Sequence, residues 1–224
     1  SKVTAQDYEL SEDKKTLIKW KGTNTKVLDM NAFKELKGVT TIGTELFSGN
    51  EIIESVVLPL GLISIGEQAF MDCTNLKKIT IPETVTKIER GAFASCKSLE
   101  KIDLPKGITE IPDTMLYECT SLTELILPEG IKTIGYSAFS QIPIKEIVFP
   151  DSVTQFDTTV VEWCDKLEKI VFKSLTPPVI QYDSLKRKVE EPPLKIYVPK
   201  GKKQAYIDSS EEWKELESLI EESK

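Results

Sequence analysis

The chain contains four cysteines, and three of them recur at a regular interval. Cys73, Cys96 and Cys119 stand 23 residues apart, and Cys164 follows 45 residues after the third. Thiols can pair as disulfides, bind zinc or act as nucleophiles. The chain has no C-x-x-C pair and no histidine, which are common partners of a zinc-binding or nucleophilic cysteine. The sequence therefore predicts no metal site, no cofactor and no cysteine nucleophile.

Carboxylate pairs offer a second possible chemistry, because two acidic side chains can run glycoside hydrolysis. The candidates are Asp157 with Glu162, and Asp183 with Glu190 and Glu191. However, the chain contains 36 acidic residues, so close pairs are expected anywhere on its solvated surface. We therefore expect no catalytic residues and no enzyme activity.

Charge and hydropathy argue against two kinds of partner. The 224-residue chain has a formal net charge of −7, whereas nucleic-acid binding needs a clustered basic face. Its apolar runs are shorter than the roughly 18 residues that a membrane-spanning helix requires. The first residues, SKVTAQDYEL, are polar, so any export signal would precede them. Membrane attachment is then expected only through an amino-terminal anchor that is absent from this sequence.

An internal repeat of 22 to 23 residues organises the chain. Prolines stand at positions 59, 82, 105, 128 and 150, so their spacings are 23, 23, 23 and 22 residues. Ahead of each proline, and again at 170–172, two apolar residues flank an outward one. These pairs are Val56/Leu58, Ile79/Ile81, Ile102/Leu104, Leu125/Leu127, Ile147/Phe149 and Ile170/Phe172. Two further apolar columns are Ile42, Ile65, Ile88, Ile111, Ile134, Phe156 and Phe47, Phe70, Phe93, Leu116, Phe139, Val161.

The repeat predicts stacked units. Apolar alternation with period 2 indicates a short strand with one buried face, and the proline ends it because it has no N–H to donate. A buried side chain contributes about 1.5–3 kcal/mol, whereas ordering each residue costs about 1–2 kcal/mol, so one unit alone is unstable. Stacking buries the columns between units. We therefore expect a solenoid, mostly β with short helical turns, with a parallel sheet on its concave side.

Stacking also determines the expected state of the cysteines. Each repeat forms one rung of the stack, and neighbouring rungs lie about 4.8 Å apart, so the Cβ atoms of equivalent side chains are also about 4.8 Å apart. A disulfide needs Cβ atoms about 3.8 Å apart. Cys119 and Cys164 would lie two rungs apart. The sequence thus predicts a column of buried, unpaired thiols.

The repeat pattern L-x-x-I-x-I-P, followed by I-x-x-x-A-F-x-x-C, resembles the BspA-like leucine-rich repeats of bacterial surface proteins. The resemblance covers about residues 39–173, and the segments LTPPVI (175–180), IYVPKGKKQAY (196–206) and EEWKEL (211–216) are similar to that family's usual ending. The resemblance implies a leucine-rich-repeat solenoid. It also implies an exported protein at the bacterial cell surface, with partners among host or neighbouring-cell proteins.

The whole chain, residues 1–224, is expected to form one domain with three parts. These are an amino-terminal cap (1–38) with a β-hairpin turning at Glu12–Lys14, six repeats (39–173), and a tail (174–224). The tail would contain an irregular insertion, a last strand and a helical cap. Trp213, Leu216, Leu219 and Ile220 stand at helical spacing, which predicts an amphipathic helix that seals the last rung.

The outward strand residues form the candidate binding face on the concave side. Its front half is locally basic at Lys78 and Lys101, and its rear half carries an apolar row flanked by two acidic residues. The row is Ile126, Val148, Val171 and Tyr197, and the acidic residues are Glu124 and Glu146. Outward β-branched residues can simply serve strand propensity, and the insertion 174–193 could cover the row. If the row is exposed, it predicts a contact site.

These features favour a non-catalytic protein-recognition or adhesion module that binds through the concave sheet face. Its partner would be a host or bacterial surface protein. One alternative is a structural scaffold or spacer on the cell surface. Another is a carbohydrate-binding module, which would need exposed aromatic platforms. Trp20, Trp163 and Trp213 resemble packing residues, and an exposed Trp163 would favour this last alternative.

Overall fold

Short parallel strands make up most of the regular structure in the computed structural model, which describes residues 2–224. The strands are β1 (Tyr8–Leu10), β2 (Thr16–Trp20), β3 (Val27–Asp29), β4 (Thr41–Ile42), β5 (Ser55–Val57), β6 (Ser64–Ile65), β7 (Lys78–Thr80), β8 (Lys87–Ile88), β9 (Glu110–Ile111), β10 (Thr133–Ile134), β11 (Glu146–Phe149), β12 (Gln155–Phe156), β13 (Lys169–Phe172), β14 (Lys195–Val198) and β15 (Ile220–Glu222). The helices are α1 (Lys203–Ile207) and α2 (Glu211–Lys214), with 3-10 turns at Ala5–Asp7, Met30–Ala32, Leu36–Gly38 and Glu217–Leu219.

Most of the strands predicted from the apolar pairs stack in register and confirm the predicted solenoid, but residues 102–104 and 124–127 form no strand. We call this stack the first ladder. At the front, β3, β5 and β7 are parallel neighbours, with Val56 opposite Ile79. A single bridge then joins Lys78 to Lys101. At the rear, β11, β13 and β14 pair in parallel, with β15 beyond them. The inward residues are buried, because each rung covers the apolar edge of the one before.

A second parallel ladder runs through the isoleucine column, where the sequence predicted no strand. It contains β2, β4, β6 and β8, and then β9, β10 and β12. In these rungs the residue after the isoleucine donates its N–H to the preceding rung. Gly66 N donates to the carbonyl of Ile42, and Gly135 N to that of Ile111, both at 2.8 Å. Pro112 occupies this position in β9 and has no N–H, so β8 and β9 do not pair.

A third set of backbone bonds joins the turns that contain the phenylalanine column, and we call it the turn ladder. Three N–H groups of each turn donate to carbonyls of the next, as in Gln68 to Arg90, Phe70 to Ala92 and Asp72 to Ala94, at 2.8–2.9 Å. Each of the six turns contains two residues with left-handed backbone. The first column with positive φ is Glu45, Gln68, Gly91, Thr114, Ser137 and Thr159, and the second is Gly49, Asp72, Ser95, Glu118, Gln141 and Trp163.

The interior is a stack of equivalent side chains. The rings of Phe47 and Phe70 lie 5.0 Å apart, centroid to centroid, and those of Phe70 and Phe93 lie 5.5 Å apart. The planes are tilted by only 16° and 13°, so the rings stack along the solenoid axis. Leu116 and Phe139 continue this column and are fully buried. One apolar core therefore extends through all the repeats.

The four cysteines are free and buried, as predicted. Each thiol donates to a phenylalanine carbonyl of the preceding rungs at 3.0–3.2 Å. The pairs are Cys73 with Phe47, Cys96 with Phe70, Cys119 with Phe93 and Cys164 with Phe139. Because burial disfavours the thiolate, it raises the pKa of Cys73, Cys119 and Cys164 to about 12. The cysteines thus act as small core residues with one hydrogen bond each.

The amino-terminal cap matches the prediction. Strands β1 and β2 form an antiparallel hairpin that turns at residues 11–15, and β2 begins the second ladder by pairing with β4. Trp20 covers the first turn, with its ring 5.5 Å from that of Phe47. The hairpin therefore closes the front end of the core.

The carboxyl-terminal cap corrects the predicted helix over residues 213–220. Helix α2 ends at Lys214, a 3-10 turn covers Glu217–Leu219, and Ile220 begins strand β15. Strand β15 pairs in parallel with β14, with Ile196 opposite Ile220. This pairing occupies the last edge of the first ladder, which would otherwise present unpaired backbone groups. Trp213 is buried as predicted, and its indole N–H donates to the carbonyl of Pro178 at 2.8 Å.

The insertion 174–193 extends the second ladder rather than covering the outward row of the first. Val179 bridges Gln155, and its carbonyl accepts from Phe156 N at 2.9 Å. Ser184 Oγ donates to the carbonyl of Asp157 at 2.6 Å. Ile126, in the row that the insertion could have covered, keeps 83% of its surface exposed.

Thr114 is a β-branched residue with a φ of 53°, and its side chain makes no hydrogen bond in the described structure. Left-handed backbone is unfavourable for β-branched residues and tolerated by asparagine. We expect Thr114→Asn to stabilise the protein by about 0.5–1 kcal/mol and to raise Tm by roughly 1–4 °C, measured by thermal unfolding. Thr109→Asn, at an exposed position without positive φ, is the control and should leave Tm unchanged. An equal rise in both variants would contradict the strain at Thr114.

Stability should fall in alkali because of the cysteines. An unfolded thiol titrates near 9, whereas the pKa of folded Cys119 is about 12. The unfolded state therefore loses its proton first, so this contribution is fully present below pH 9 and is lost as the pH rises toward 12. At pH 10.5 each of Cys73, Cys119 and Cys164 should lower the free energy of unfolding by about 2 kcal/mol. Urea unfolding under reducing conditions at pH 8 and 10.5 should show a smaller loss for Cys119→Ala than for the unchanged protein. Equal losses would show that the thiol is not the cause.

Candidate functional site

The outward face of the first ladder carries two columns of side chains. One column stands just before the buried strand residue, and the other just after it. The first column is Ser55, Lys78, Lys101, Glu124, Glu146, Lys169 and Lys195. The second column is Val57, Thr80, Asp103, Ile126, Val148, Val171 and Tyr197. All the candidate residues therefore lie on one face, and the ladder register determines which of them are neighbours.

Three members of the apolar row are adjacent. Val148 lies opposite Val171, and Val171 lies opposite Tyr197, in the registers of β11, β13 and β14. All three are half-buried, because each is flanked by the next rung. Ile126 belongs to the same row but to a rung without ladder bonds, and it is 83% exposed. The row thus combines a continuous strip with one protruding apolar side chain.

The rear polar column is paired internally. Glu146 and Lys169 lie on neighbouring strands and form an ion pair at 3.0 Å. Lys195 pairs with Glu221 at 2.8 Å, and this contact holds the pKa of Glu221 below its usual value. The ammonium of Lys169 also lies 5.3 Å from the centre of the Tyr197 ring. Glu146 is therefore not a free acidic group, in contrast to Glu124, which makes no ion pair in the described structure.

The basic front half is partly neutralised. Lys101 forms an ion pair with Asp103 at 3.3 Å, and both side chains are exposed. Lys78 is exposed as well and bridges Lys101 through the backbone. A groove of about 320 Å³ lies between residues 77–81 and residues 100–103. The front half therefore presents Lys78, which forms no ion pair with any described residue, beside the carboxylate of Asp103.

Two cavities adjoin Ile126. One, of about 510 Å³, lies between residues 123–126 and residues 143–148. The other, of about 290 Å³, lies between residues 125–129 and residues 148–150, with Lys173 at its end. Leu125, Ile126 and Val148 line both cavities. Both are concave surfaces with apolar walls, which small ligands and side chains can fill.

A further cleft of about 450 Å³ lies along the second ladder, where the sequence predicted no site. Lys87, Glu89, Glu110 and Asp113 are among its lining residues. Lys87 and Glu89 form an ion pair at 2.7 Å. The sequence does show charged residues next to the isoleucine column. It does not predict the short strands that bring these residues together into the cleft.

Both members of the first carboxylate pair considered for hydrolysis have other contacts, whereas Asp183 Oδ1 of the second group is buried without a hydrogen-bond partner in the described structure. Glu162 pairs with Lys188 at 3.6 Å, and Asp157 Oδ1 accepts the N–H of Thr158 at 2.7 Å. No group of three or more cysteine, aspartate or glutamate residues that could hold a metal occurs in residues 2–224. Over the same residues, no helix has the length and apolar character needed to cross a bilayer.

The three tryptophans differ in exposure. Trp213 is buried and Trp20 is half-buried against Phe47, so both pack as predicted. Trp163 is 50% exposed at a left-handed turn position, which makes its predicted packing role wrong. It lies in the turn ladder, away from the apolar row of the first ladder.

Solved structures of leucine-rich repeat proteins resemble this chain. A leucine rich cell surface protein from Faecalibacterium prausnitzii is 27% identical, with a TM-score of 0.66 over 80% of this chain. This chain spans 56% of the length of that protein. A T. pallidum leucine-rich repeat protein is 26% identical, with a TM-score of 0.67 over 77% of this chain and 86% of its own. The pneumococcal vaccine antigen PcpA, at 23% identity and a TM-score of 0.51, shares the fold.

The sequence itself matches a repeat family over most of its length. No curated protein matches the chain. Residues 40–168 contain six copies of the BspA type leucine rich repeat region, which agrees with the six repeats counted from the proline and isoleucine columns. The stacked strands, the buried columns and this match lead to one conclusion. The chain belongs to the BspA-type leucine-rich repeat family.

Proposed function

We propose that this protein is a non-catalytic protein-recognition or adhesion module that binds through the outward face of the first ladder. The observation that carries the proposal is the exposure of Ile126, which protrudes next to the strip of Val148, Val171 and Tyr197. An apolar side chain that leaves 83% of its surface in water gains about 25 cal/mol per Å² when a partner covers it. A contiguous apolar strip with polar edges is typical of a protein contact site.

The rigidity of the face supports this function. In β11, β13 and β14, each outward residue is fixed by strand register and by the buried side chains beneath it. The ion pairs of Glu146 with Lys169 and of Lys195 with Glu221 hold the polar column next to the strip. A partner can therefore bind without ordering the face first, which reduces the entropic cost of association.

The proposed location is the bacterial cell surface or the extracellular space. The F. prausnitzii structure is described as a leucine rich cell surface protein, and the family is typically found on bacterial surfaces. The partner would be a host or bacterial surface protein. The net charge of −7 disfavours nucleic acid as an alternative partner.

A carbohydrate-binding role is the second candidate, and the exposure of Trp163 favours it. An exposed indole face can stack on an apolar sugar face, and Trp163 is 50% exposed. A purely structural spacer would need no apolar strip, so the exposed Ile126 favours recognition over that alternative.

Charge introduced into the apolar row should abolish binding. The test compares the unchanged protein with the double variant Ile126→Glu and Val148→Glu in pull-downs from host-cell and bacterial surface extracts. We expect captured proteins to be lost from the variant, because two carboxylates would be desolvated in the contact. Both residues are on the surface, so Tm should change by less than a few degrees.

Leu60→Glu is the matched control, because Leu60 is 67% exposed and lies in a turn outside the ladders. It should retain the captured proteins. Capture that the double variant preserves would remove the first ladder from the proposed function. Loss of capture in Trp163→Ala instead would favour the carbohydrate role.

A further inference from the structure

The rung that contains Ile126 has no backbone hydrogen bonds to its neighbours. Within the described chain, residues 124–127 donate to no backbone group and accept from none. Leu125 and Leu127 are nevertheless buried and Ile126 is exposed, so the segment keeps the inward and outward alternation of a strand. It is an extended segment whose two edges are unpaired.

The facing edge of β11 is also unpaired. On its other side, the carbonyls of Lys145 and Phe149 accept from the N–H groups of Lys169 and Lys173, both at 3.1 Å. Because successive residues of a strand turn their backbone groups to opposite edges, the N–H and C=O groups of Glu146 and Val148 point toward residues 124–127. No described backbone group pairs with them there. Two unpaired strand edges therefore face each other.

A groove lies between these edges. The two cavities that adjoin Ile126 share Leu125, Ile126 and Val148, so they follow each other along the strand direction. Together they extend from Thr123 to Glu129 on one wall, which is about 20 Å at the rise of an extended chain. We call this feature the open groove and define it by residues 123–129 and residues 143–150. Its length matches a strand of six to seven residues.

The rims of the open groove carry opposite charges. Glu124 stands on one wall and Lys145 on the other, and neither forms an ion pair in the described structure. At the far end Glu129 pairs with Lys173 at 3.1 Å. A ligand with apolar residues in its centre and one charge of each sign would complement both rims.

We propose that the open groove binds an extended peptide segment of a partner protein by strand addition. The backbone of the segment would pair with the unpaired edge of β11, and its apolar side chains would contact Leu125, Ile126 and Val148. The inference rests on the proposed function, because it specifies how a protein partner engages the same face. Strand addition derives affinity from main-chain hydrogen bonds and specificity from alternate side chains, and the open groove offers both.

Other occupants complement the groove less well. A flat protein surface would cover Ile126 but leave the edges of Glu146 and Val148 unpaired. A compact small molecule would fill only one of the two cavities beside Ile126 and would leave the other one empty. Of these occupants, only an extended chain has backbone N–H and C=O groups at the same spacing as those along a strand edge.

Residue-resolved amide exchange in the intact chain tests the free state. The amides of Ile147 and Phe149 face β13 and should be protected, whereas those of Glu146 and Val148 should exchange at least a hundredfold faster. The amides of residues 124–127 should exchange as fast as those of Glu146 and Val148. Uniform protection across residues 146–149 would show that the edge is already paired and would overturn the inference.

A peptide probe tests the bound state. A random twelve-residue library displayed on phage is selected on the full chain and counter-selected on Ile126→Glu, and an enriched peptide is then synthesised. We expect it to protect the amides of Glu146 and Val148. N-methylation of its central amides should weaken binding at least tenfold, whereas N-methylation of a terminal amide should not. Leu60→Glu should bind the peptide as tightly as the unchanged protein.

The outcomes separate the inference from the proposed function. If no peptide is enriched, or if an enriched peptide binds without protecting Glu146 and Val148, strand addition is wrong. If the pull-down still depends on Ile126 and Val148 in that case, the proposed recognition face stands without it. If capture and peptide binding are both insensitive to these residues, both proposals fail.

Discussion

The turn ladder joins successive repeats even where the two β ladders are interrupted. Its bonds run without interruption from Glu45, which donates to Glu67, to Gln141, which donates to Glu162. Both β ladders are interrupted between the rungs of β8 and β9, where Pro112 removes one donor and residues 102–104 and 124–127 do not pair. At that junction the turn bonds, the cysteine hydrogen bonds and the apolar core hold successive repeats together.

The features that could be predicted from the sequence are those that follow from columns of equivalent side chains. Period-2 pairs correctly predicted β5, β7, β11 and β13, but residues 102–104 and 124–127 form no strand. The 23-residue spacing of Cys73, Cys96 and Cys119 predicted the unpaired thiols. The second ladder was missed because its strands, such as Ser64–Ile65, are two residues long and show no alternation. The carboxyl-terminal helix was predicted too long, since Ile220 fits a helical face and a strand equally well until β14 provides an edge.

In the candidate site, the face on which each residue lies could be predicted from the sequence, but the contacts between neighbouring strands could not. The sequence placed Ile126, Val148, Val171 and Tyr197 on one face, because facing follows from alternation. It could not predict the pairing of Glu146 with Lys169, which depends on which strands become neighbours. Nor could it predict the open groove. Leu125 and Leu127 are as apolar as their equivalents in paired rungs, and the difference lies in backbone bonds that side chains do not encode.

The buried thiols have a consequence for where the fold can exist. Each of the four sulfur atoms is enclosed in the core and bound to a carbonyl, and none is cross-linked to another. The native state therefore gains nothing from an oxidant and loses nothing to a reductant. Such a domain can mature on either side of a membrane without a disulfide-forming catalyst, so its stability is independent of the redox potential of its surroundings.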